Sequence, residues 1–457
     1  MSLNLQEILS EASRQREDYE NLLREFVEIP SVSNDPEHTE DVHRSAIRAA
    51  DLIREFGGSS SIIHSQNNVP FVHGTFFSSS RKHPTVSVYN HLDVIPASKE
   101  TEPWKTEPFV FTKQGDRYFG RGTTDDKGPA LTALFATRMA QKMGLPINVQ
   151  LLWECEEEVG SHNFAEILRK AGKAVKTDSV VVSDTMWLSR NRPTITAGLR
   201  GFIGVRFVLE TAATDQHSGD VGGAARNPLG ELMGLVAEIY DPQTGHIRIP
   251  GFYKDVIAPT KSELQDFVRS GFTSSWFKKT YKFKSMRTNN SLEIMKRIWA
   301  QPTFEIHGLA GGYHGPGLKS IVPPKAEVKA SFRLAPGQDA QKVGRLVRDF
   351  VRKKNPDVKT IIHAGSAAYL TETNGPLANA AKKAIKFAFG KEPVFVREGG
   401  SIGSVISMQQ ILKCPIMFLG LSLPEHGYHA PNENFDWRQA SHGIAAFLYY
   451  FNELSKL

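Results

Sequence analysis

Acidic and imidazole side chains recur in this chain directly after short apolar runs. His91 and Asp93 follow the run 85–90, and Glu154, Glu156, Glu157 and Glu158 follow 147–153. Asp184 follows 179–183, and His426 and His429 follow 416–421. Asp125 and Asp126 close the glycine-rich turn Gly120-Arg121-Gly122-Thr123-Thr124, which opens into a helical pattern. Imidazole nitrogens and carboxylate oxygens are ligand atoms for zinc and similar divalent ions. Two imidazoles, His91 and His429, with Asp125, Glu158 and Asp184 exceed the needs of one tetrahedral zinc. A carboxylate bridging two ions balances the number, and such paired metals polarise a carbonyl and activate water. Taken singly, each residue has an ordinary reading: a surface histidine, a solvated glutamate turn, a Gly-Arg-Gly loop. Their recurrence at comparable places reverses that reading. The 120–128 run lacks the spacing of a phosphate-binding loop, so nucleotide binding is discounted.

These side chains need elements to hold them. The runs 85–90, 147–153, 179–183 and 416–421 are rich in Val, Ile and Leu and too short for helices, so they predict buried strands. Helical patterns over 129–143 and 164–171 lie between them, which implies a largely parallel α/β sheet. In such a sheet the C-terminal strand ends form one rim, where ligands bind. Tyr19, Leu22, Leu23, Phe26 and Val27 have helical spacing, stopped by Pro30, and a second helix is predicted over 40–56 before Gly57-Gly58. The apolar run 444–451 suits a packed C-terminal helix. The middle of the chain differs. Strands over 201–210, 303–308 and 326–334, with helices over 227–240 and 339–354, predict a small α+β unit inserted into the larger one. The stretch 241–300 is Lys-rich, aromatic and without clear period, and is read as an elaboration of the insert.

Composition sets the outer bounds. The 457 residues suit two or three domains, and 40% hydrophobic with 23% charged residues is ordinary for a globular chain. Two cysteines, Cys155 and Cys414, exclude a disulfide framework and are compatible with a reducing cytosol. No apolar run predicts a membrane span, and the N-terminal residues lack a signal-peptide layout. The formal charge of +6 is modest. The basic run Lys278, Lys279, Lys282, Lys284 and Arg287 around Tyr281 and Phe283 is read as a solvated face, not a nucleic-acid site.

Several motifs together resemble one family. Asn90-His91-Leu92-Asp93, the 120–128 run, Glu157-Glu158-Val159-Gly160-Ser161, Ser183-Asp184 and Gly427-Tyr428-His429-Ala430-Pro431-Asn432-Glu433 match the M20 metallopeptidases in order and spacing. Gly198-Leu199-Arg200-Gly201, His217-Ser218-Gly219, Ser331-Phe332-Arg333-Leu334 and Arg397-Glu398-Gly399-Gly400-Ser401-Ile402 resemble the carnosinase and cytosolic non-specific dipeptidase branch. The resemblance implies a mixed-sheet α/β catalytic domain of the zinc-exopeptidase type over 1–197 and 374–457. It also implies an inserted α+β, ferredoxin-like lid and dimerisation domain over 198–373. Two divalent ions are implied, Zn2+ before Mn2+ or Co2+, with His91 and Asp184 on one, Glu158 and His429 on the other, and Asp125 bridging. A cis peptide after Asp125 goes with that pattern. Asp93 would fix the tautomer of His91. Glu157 would take a proton from water held at the metals and deliver it to the leaving amine. His217 would reach the active site of a second subunit and steady the oxyanion. Arg333 and Ser401 would hold the substrate carboxylate.

The implied activity is hydrolysis of dipeptides by a cytoplasmic homodimer, with no nucleic-acid or membrane partner. An N-acyl-amino-acid amidohydrolase or desuccinylase shares the same metal centre, and a non-catalytic peptide-binding relative is a third reading. One departure narrows the resemblance. Asn374-Gly375-Pro376-Leu377 stands where the animal dipeptidases carry histidines, so a preference for His-containing dipeptides is not carried over. His307, His314 and His363 are read as structural.

Overall fold

The computed structural model describes residues 3–363 and 365–457. Its largest sheet has six strands in the order Ser59–His64, Pro70–Phe76, Asn148–Glu154, Thr85–His91, Ser179–Val182, Ile416–Phe418. The last four run parallel, and the first two form an antiparallel hairpin at one edge. The sheet is therefore mixed. The edge hairpin escaped the sequence reading because Pro70, His73 and Gly74 interrupt any apolar pattern there.

Every residue of Asn148–Glu154 is buried, as a central strand covered on both faces requires. Helices Arg16–Val27, Thr39–Glu55, Lys127–Lys142, Pro376–Phe389 and Trp437–Leu454 share one continuous core with the sheet. Trp437–Leu454 packs on both Lys127–Lys142 and Pro376–Phe389. Its first turn is capped by Asp436, whose carboxylate accepts from the Gln439 N–H at 3.0 Å. No helix among the described residues is long and apolar enough to cross a membrane.

A second sheet is wholly antiparallel, in the order Thr303–Gly311, Lys325–Leu334, Gly201–Glu210, Lys359–Ile362. With helices Pro228–Ile239 and Ala340–Lys354 the chain order is βαββαβ and the spatial order 2-3-1-4, the ferredoxin-like arrangement. Gly201–Glu210 alternates buried and half-buried residues, as a sheet with one face on a core must. That core, which includes Phe207, Phe304, Phe332 and Val347, is separate from the one under the large sheet.

A three-stranded sheet, Tyr369–Leu370, Thr194–Leu199, Val394–Glu398, lies at the crossing between the two units. Leu199 ends a strand of this sheet and Gly201 begins one of the other, so a single residue, Arg200, spans the outward crossing, and the chain returns between Ile362 and Tyr369.

The 241–300 stretch differs from its sequence reading. It contains three short helices, Lys261–Arg269, Ser274–Thr280 and Ser291–Trp299, capped by Thr260, Thr273 and Asn290. Seven to nine residues make about two turns, too few for a period to stand out. Two of these helices pack on strand Val394–Glu398 rather than on the four-stranded sheet, and Phe267, Phe272, Trp299 and Val396 form their own cluster.

Candidate metal centre and substrate cavity

The parallel strands deliver the chemistry to one rim. His91 is the last residue of Thr85–His91, Glu154 ends the neighbouring strand, and Asp184 lies two residues beyond Val182. His429 comes from the loop that follows Ile416–Phe418 and has left-handed backbone, φ 53°. Asp125 arrives from the 120–126 turn, and its bond to Asp126 is cis.

At this rim His91 Nε2 lies 2.9 Å from Asp125 Oδ1 and 3.9 Å from Asp184 Oδ2. His429 Nε2 lies 2.9 Å from Asp125 Oδ2 and 3.0 Å from Glu158 Oε2. Asp125 thus stands between the two imidazoles, one oxygen toward each. Donor atoms of His91, Glu157 and Asp184 lie within 4.8 Å of one another, as do those of His91, Asp125 and Glu158. Except for His429, half exposed at the mouth, the side chains are buried or nearly so.

Electrostatics tests whether such a set fits divalent cations. Burial pushes the Glu157 carboxyl well above the ordinary carboxylate range, reinforced by the charge of Asp184. Burial and the neighbouring Asp125 raise Glu158 to about 7, and burial raises Asp184 against the pull of His91. Burial opposes the charge on Asp125 too, but hydrogen bonds from His429 and His91 hold it below its usual value. Hydrogen bonds to Asp125 and Glu158 raise His429 to about 11. His91 is raised well above 6.5 because its bonds to Asp125 and Asp93 outweigh burial. Four crowded carboxylates therefore draw positive charge onto two imidazoles. Divalent ions would satisfy the same demand with all four ionised and both imidazoles neutral, so the donor set fits such ions.

The surroundings hold these donors in place. Asp93 accepts from the Glu157 N–H and the Glu158 N–H, each at 3.1 Å, so it fixes the turn that carries both glutamates. His91 Nδ1 is 3.0 Å from the Asp93 carbonyl oxygen and 3.5 Å from its carboxylate. Asp126 accepts from Asn90 Nδ2 at 2.7 Å. Gly128, at the helix start below, has no room for a side chain: a Cβ there would lie 2.1 Å from the Thr123 carbonyl oxygen. Lys127 is buried and donates to the carbonyls of Phe26 and Ile29 at 2.8 and 2.9 Å, and burial lowers its ammonium to about 7.

Two contributors were missed from sequence. Tyr428 donates its hydroxyl to Asp184 Oδ1. Glu433, fully buried, accepts from the Thr124 N–H at 2.8 Å, the Asp125 N–H at 3.0 Å, the Gly122 N–H at 2.9 Å and Arg121 Nη1 at 2.8 Å. Both belong to the Gly427–Glu433 motif already singled out around His429, which was the available signal.

Asp125, Glu157, Asp184 and His429 line a cavity of about 610 Å3 together with Arg333 and Ser401. Arg333 Nη1 donates to Ser401 Oγ at 3.0 Å, and Ser401 donates in turn to the Arg200 carbonyl. No ion pair with a carboxylate engages Arg333 among the described residues, so its charge is available to a ligand. His217 is not part of this cavity. It is exposed in the ferredoxin-like unit, where Nδ1 accepts from the Gly219 N–H at 3.0 Å and caps the turn.

Residues 87–453 match the model of Peptidase family M20/M25/M40. The chain belongs to this peptidase family. The Cys-Gly metallodipeptidase dug1 of Schizosaccharomyces pombe is 30% identical, with 100% of both chains covered. The human Beta-Ala-His dipeptidase is 28% identical over 99% of this chain and 93% of its own. Among solved structures, the dipeptidase Dug1p of Saccharomyces cerevisiae superposes with a TM-score of 0.86 at 28% identity over 100% of both chains. The metallo-carboxypeptidase Sso-CP2 of Sulfolobus solfataricus gives 0.87 at 28% identity, covering 95% of this chain and 98% of its own. As a member of this family the protein is an α/β metallopeptidase, and its rim of carboxylates and imidazoles is the candidate metal site.

Proposed function

We propose that the protein hydrolyses dipeptides at a two-metal centre built from His91, Asp125, Glu158, Asp184 and His429, Zn2+ being the ion this donor set suits best. The observation that carries the reading is one cavity that combines the carboxylate–imidazole cluster with the Arg333–Ser401 pair. A dipeptide presents both partners at once, an amide carbonyl and, one residue on, a free carboxylate. The relatives named for Cys-Gly and Beta-Ala-His dipeptide hydrolysis agree with that substrate size, and the carboxypeptidase neighbour agrees with recognition of a C-terminal carboxylate.

Metals at this site would polarise the scissile carbonyl and lower the pKa of attacking water. The chain supplies the rest. Glu157, which no hydrogen bond from a side chain of the cluster engages, takes the water's proton and returns it to the leaving nitrogen. Asp93 keeps Glu157 aimed by holding its backbone N–H. Arg333, aligned by the Ser401 hydroxyl, receives the substrate carboxylate and fixes the distance to the bond that breaks.

Residues 1–197 and 374–457 form the catalytic unit in this reading, and 198–373 the lid. Exposed Ile306, Leu309, Tyr313 and Leu318 lie on or after the edge strand Thr303–Gly311, whose outer side pairs with no strand among the described residues, which supports dimerisation through the lid. His217 would then act from the partner subunit. Two unpaired cysteines support a cytoplasmic location.

The test is hydrolysis, by the metal-loaded protein, of free dipeptides beside N-acetyl and N-succinyl amino acids. Cleavage of dipeptides is expected. Cleavage confined to acylated compounds would retain the metal centre and replace the substrate class with that of an N-acyl-amino-acid amidohydrolase.

A further inference from the structure

One wall of the cavity is made of rings that the hydrolytic chemistry does not use. Phe277, Phe283 and Ile298 line it beside Arg333, and the same four residues line a second cavity of about 580 Å3. Arg333 therefore stands where the two spaces meet, its guanidinium 5.0 Å from the ring centre of Phe202. Phe277, Tyr281 and Phe283 form one aromatic group, with centroids 4.9, 5.4 and 5.7 Å apart. Tyr281 is 53% exposed and Phe283 42%, so large aromatic faces stand open to solvent at the rim of the site. Contiguous apolar surface of this kind marks a place that a ligand covers.

We infer that this aromatic wall is the pocket for the side chain of the substrate's C-terminal residue, and that it selects large apolar or aromatic residues there. The inference rests on the proposal that Arg333 and Ser401 hold the α-carboxylate. A carboxylate on Arg333 places the Cα of that residue one bond away, so its side chain must enter the space around Arg333. That space is walled by Phe277, Phe283 and Ile298 and opens into the second cavity. Two of the polar groups lining the second cavity are engaged with neighbours, although Glu305 also lines it. His307 Nε2 is bonded to Ser331 Oγ at 2.7 Å, and Arg297 Nε donates to Glu293 at 3.0 Å. A ring or branched aliphatic chain gains most from such a wall, and glycine gains nothing.

The experiment compares kcat/KM for Ala-Phe, Ala-Gly and Ala-Glu, and for Phe-Ala against Gly-Ala, in the metal-loaded wild type and in Phe283→Ala. Phe283 is partly exposed, so the variant is expected to keep the wild-type Tm, which checks its fold. Ala-Phe should exceed Ala-Gly at least tenfold, and Phe283→Ala should reduce that ratio at least fivefold. An unchanged ratio, a preference for Ala-Glu, or a Phe advantage confined to the N-terminal position overturns the inference. If no dipeptide is cleaved, the dipeptidase reading fails separately. The wall is then tested by N-acetyl-Phe against N-acetyl-Gly, and by calorimetric binding of Ala-Phe and Ala-Gly to metal-loaded Glu157→Gln. There, too, less than a tenfold difference in Kd overturns it.

Discussion

Replacing Glu433 by Gln tests whether the metal centre depends on a residue that contacts no substrate. Its carboxylate oxygens are shared out fully. Oε1 takes the N–H groups of Thr124 and Asp125, and Oε2 takes the Gly122 N–H and Arg121 Nη1. An amide of the same shape can accept on only one side, so its NH2 group must face two donors. Arg121 is 1% exposed, and its Nε and Nη2 have no hydrogen-bond partner among the described residues, so loss of Glu433's charge leaves a buried guanidinium uncompensated. Breaking a buried pair in this way costs about 3–5 kcal/mol. At roughly 2 °C per kcal/mol for a large domain, the expected fall in Tm is about 6–10 °C. Because the same carboxylate holds the Asp125 N–H, metal affinity should also fall about 10–100-fold, the usual cost of losing support behind a ligand. Thermal unfolding with and without metal, and titration against a competing chelator, read the two effects. A Glu433→Gln protein with wild-type Tm and wild-type metal affinity would refute the reasoning.

Other expectations follow from the same geometry. Burial alone would raise Asp436, but hydrogen bonds from His426 at 3.0 Å and Arg190 at 2.6 Å hold it well below the ordinary carboxylate value. Its folded pKa is below its unfolded one, so its stabilisation is present at neutral pH and lost as pH falls from about 4 through the folded value. Asp436→Ala should therefore lower stability at pH 7 by about 3–5 kcal/mol, with the gap to wild type closing in acid during denaturant titrations. Metal binding must remove protons from His91 and His429, whose pKa values the acidic cluster raises, so affinity should climb with pH. Calorimetry in buffers of different ionisation enthalpy should show net proton release, and its absence would contradict the assignment of imidazole ligands. Arg333→Lys keeps the charge but loses the fork that Ser401 aligns, so KM for dipeptides should rise about tenfold or more, and kcat should fall as well because the scissile bond is held less well. Steady-state kinetics would count against a carboxylate anchor if KM were unmoved.

What the sequence revealed and what it hid have physical causes. The central strands were legible because both faces of each are buried, which leaves short runs rich in apolar residues that end beside a polar residue. The ferredoxin-like strands Gly201–Glu210 and Lys325–Leu334 showed the alternation of one-sided burial. Strand Pro70–Phe76 was hidden because its stability comes from pairing with Asn148–Glu154, not from its own composition. The helices between 261 and 299 were hidden by brevity, and with them the fact that Phe277 lines the substrate cavity beside Tyr281 and Phe283, which were read only as part of a basic run. The work of Glu433 lies in backbone N–H groups more than three hundred residues away in the chain, a contact that local spacing does not encode. His217 shows the converse. Its motif is local, and its expected place is the active site of a second subunit, so it lies outside the cavity of its own chain.

The most direct test of the central claim pairs metal analysis with turnover in Glu157→Gln. Wild type and variant should each retain two equivalents of divalent metal per chain. Only the wild type should hydrolyse dipeptides at full rate, the variant being slower by on the order of 10²–10⁴, the usual contribution of a general base. A variant that turns over at the wild-type rate, or a wild type that stays active after its metal has been stripped, would contradict that claim.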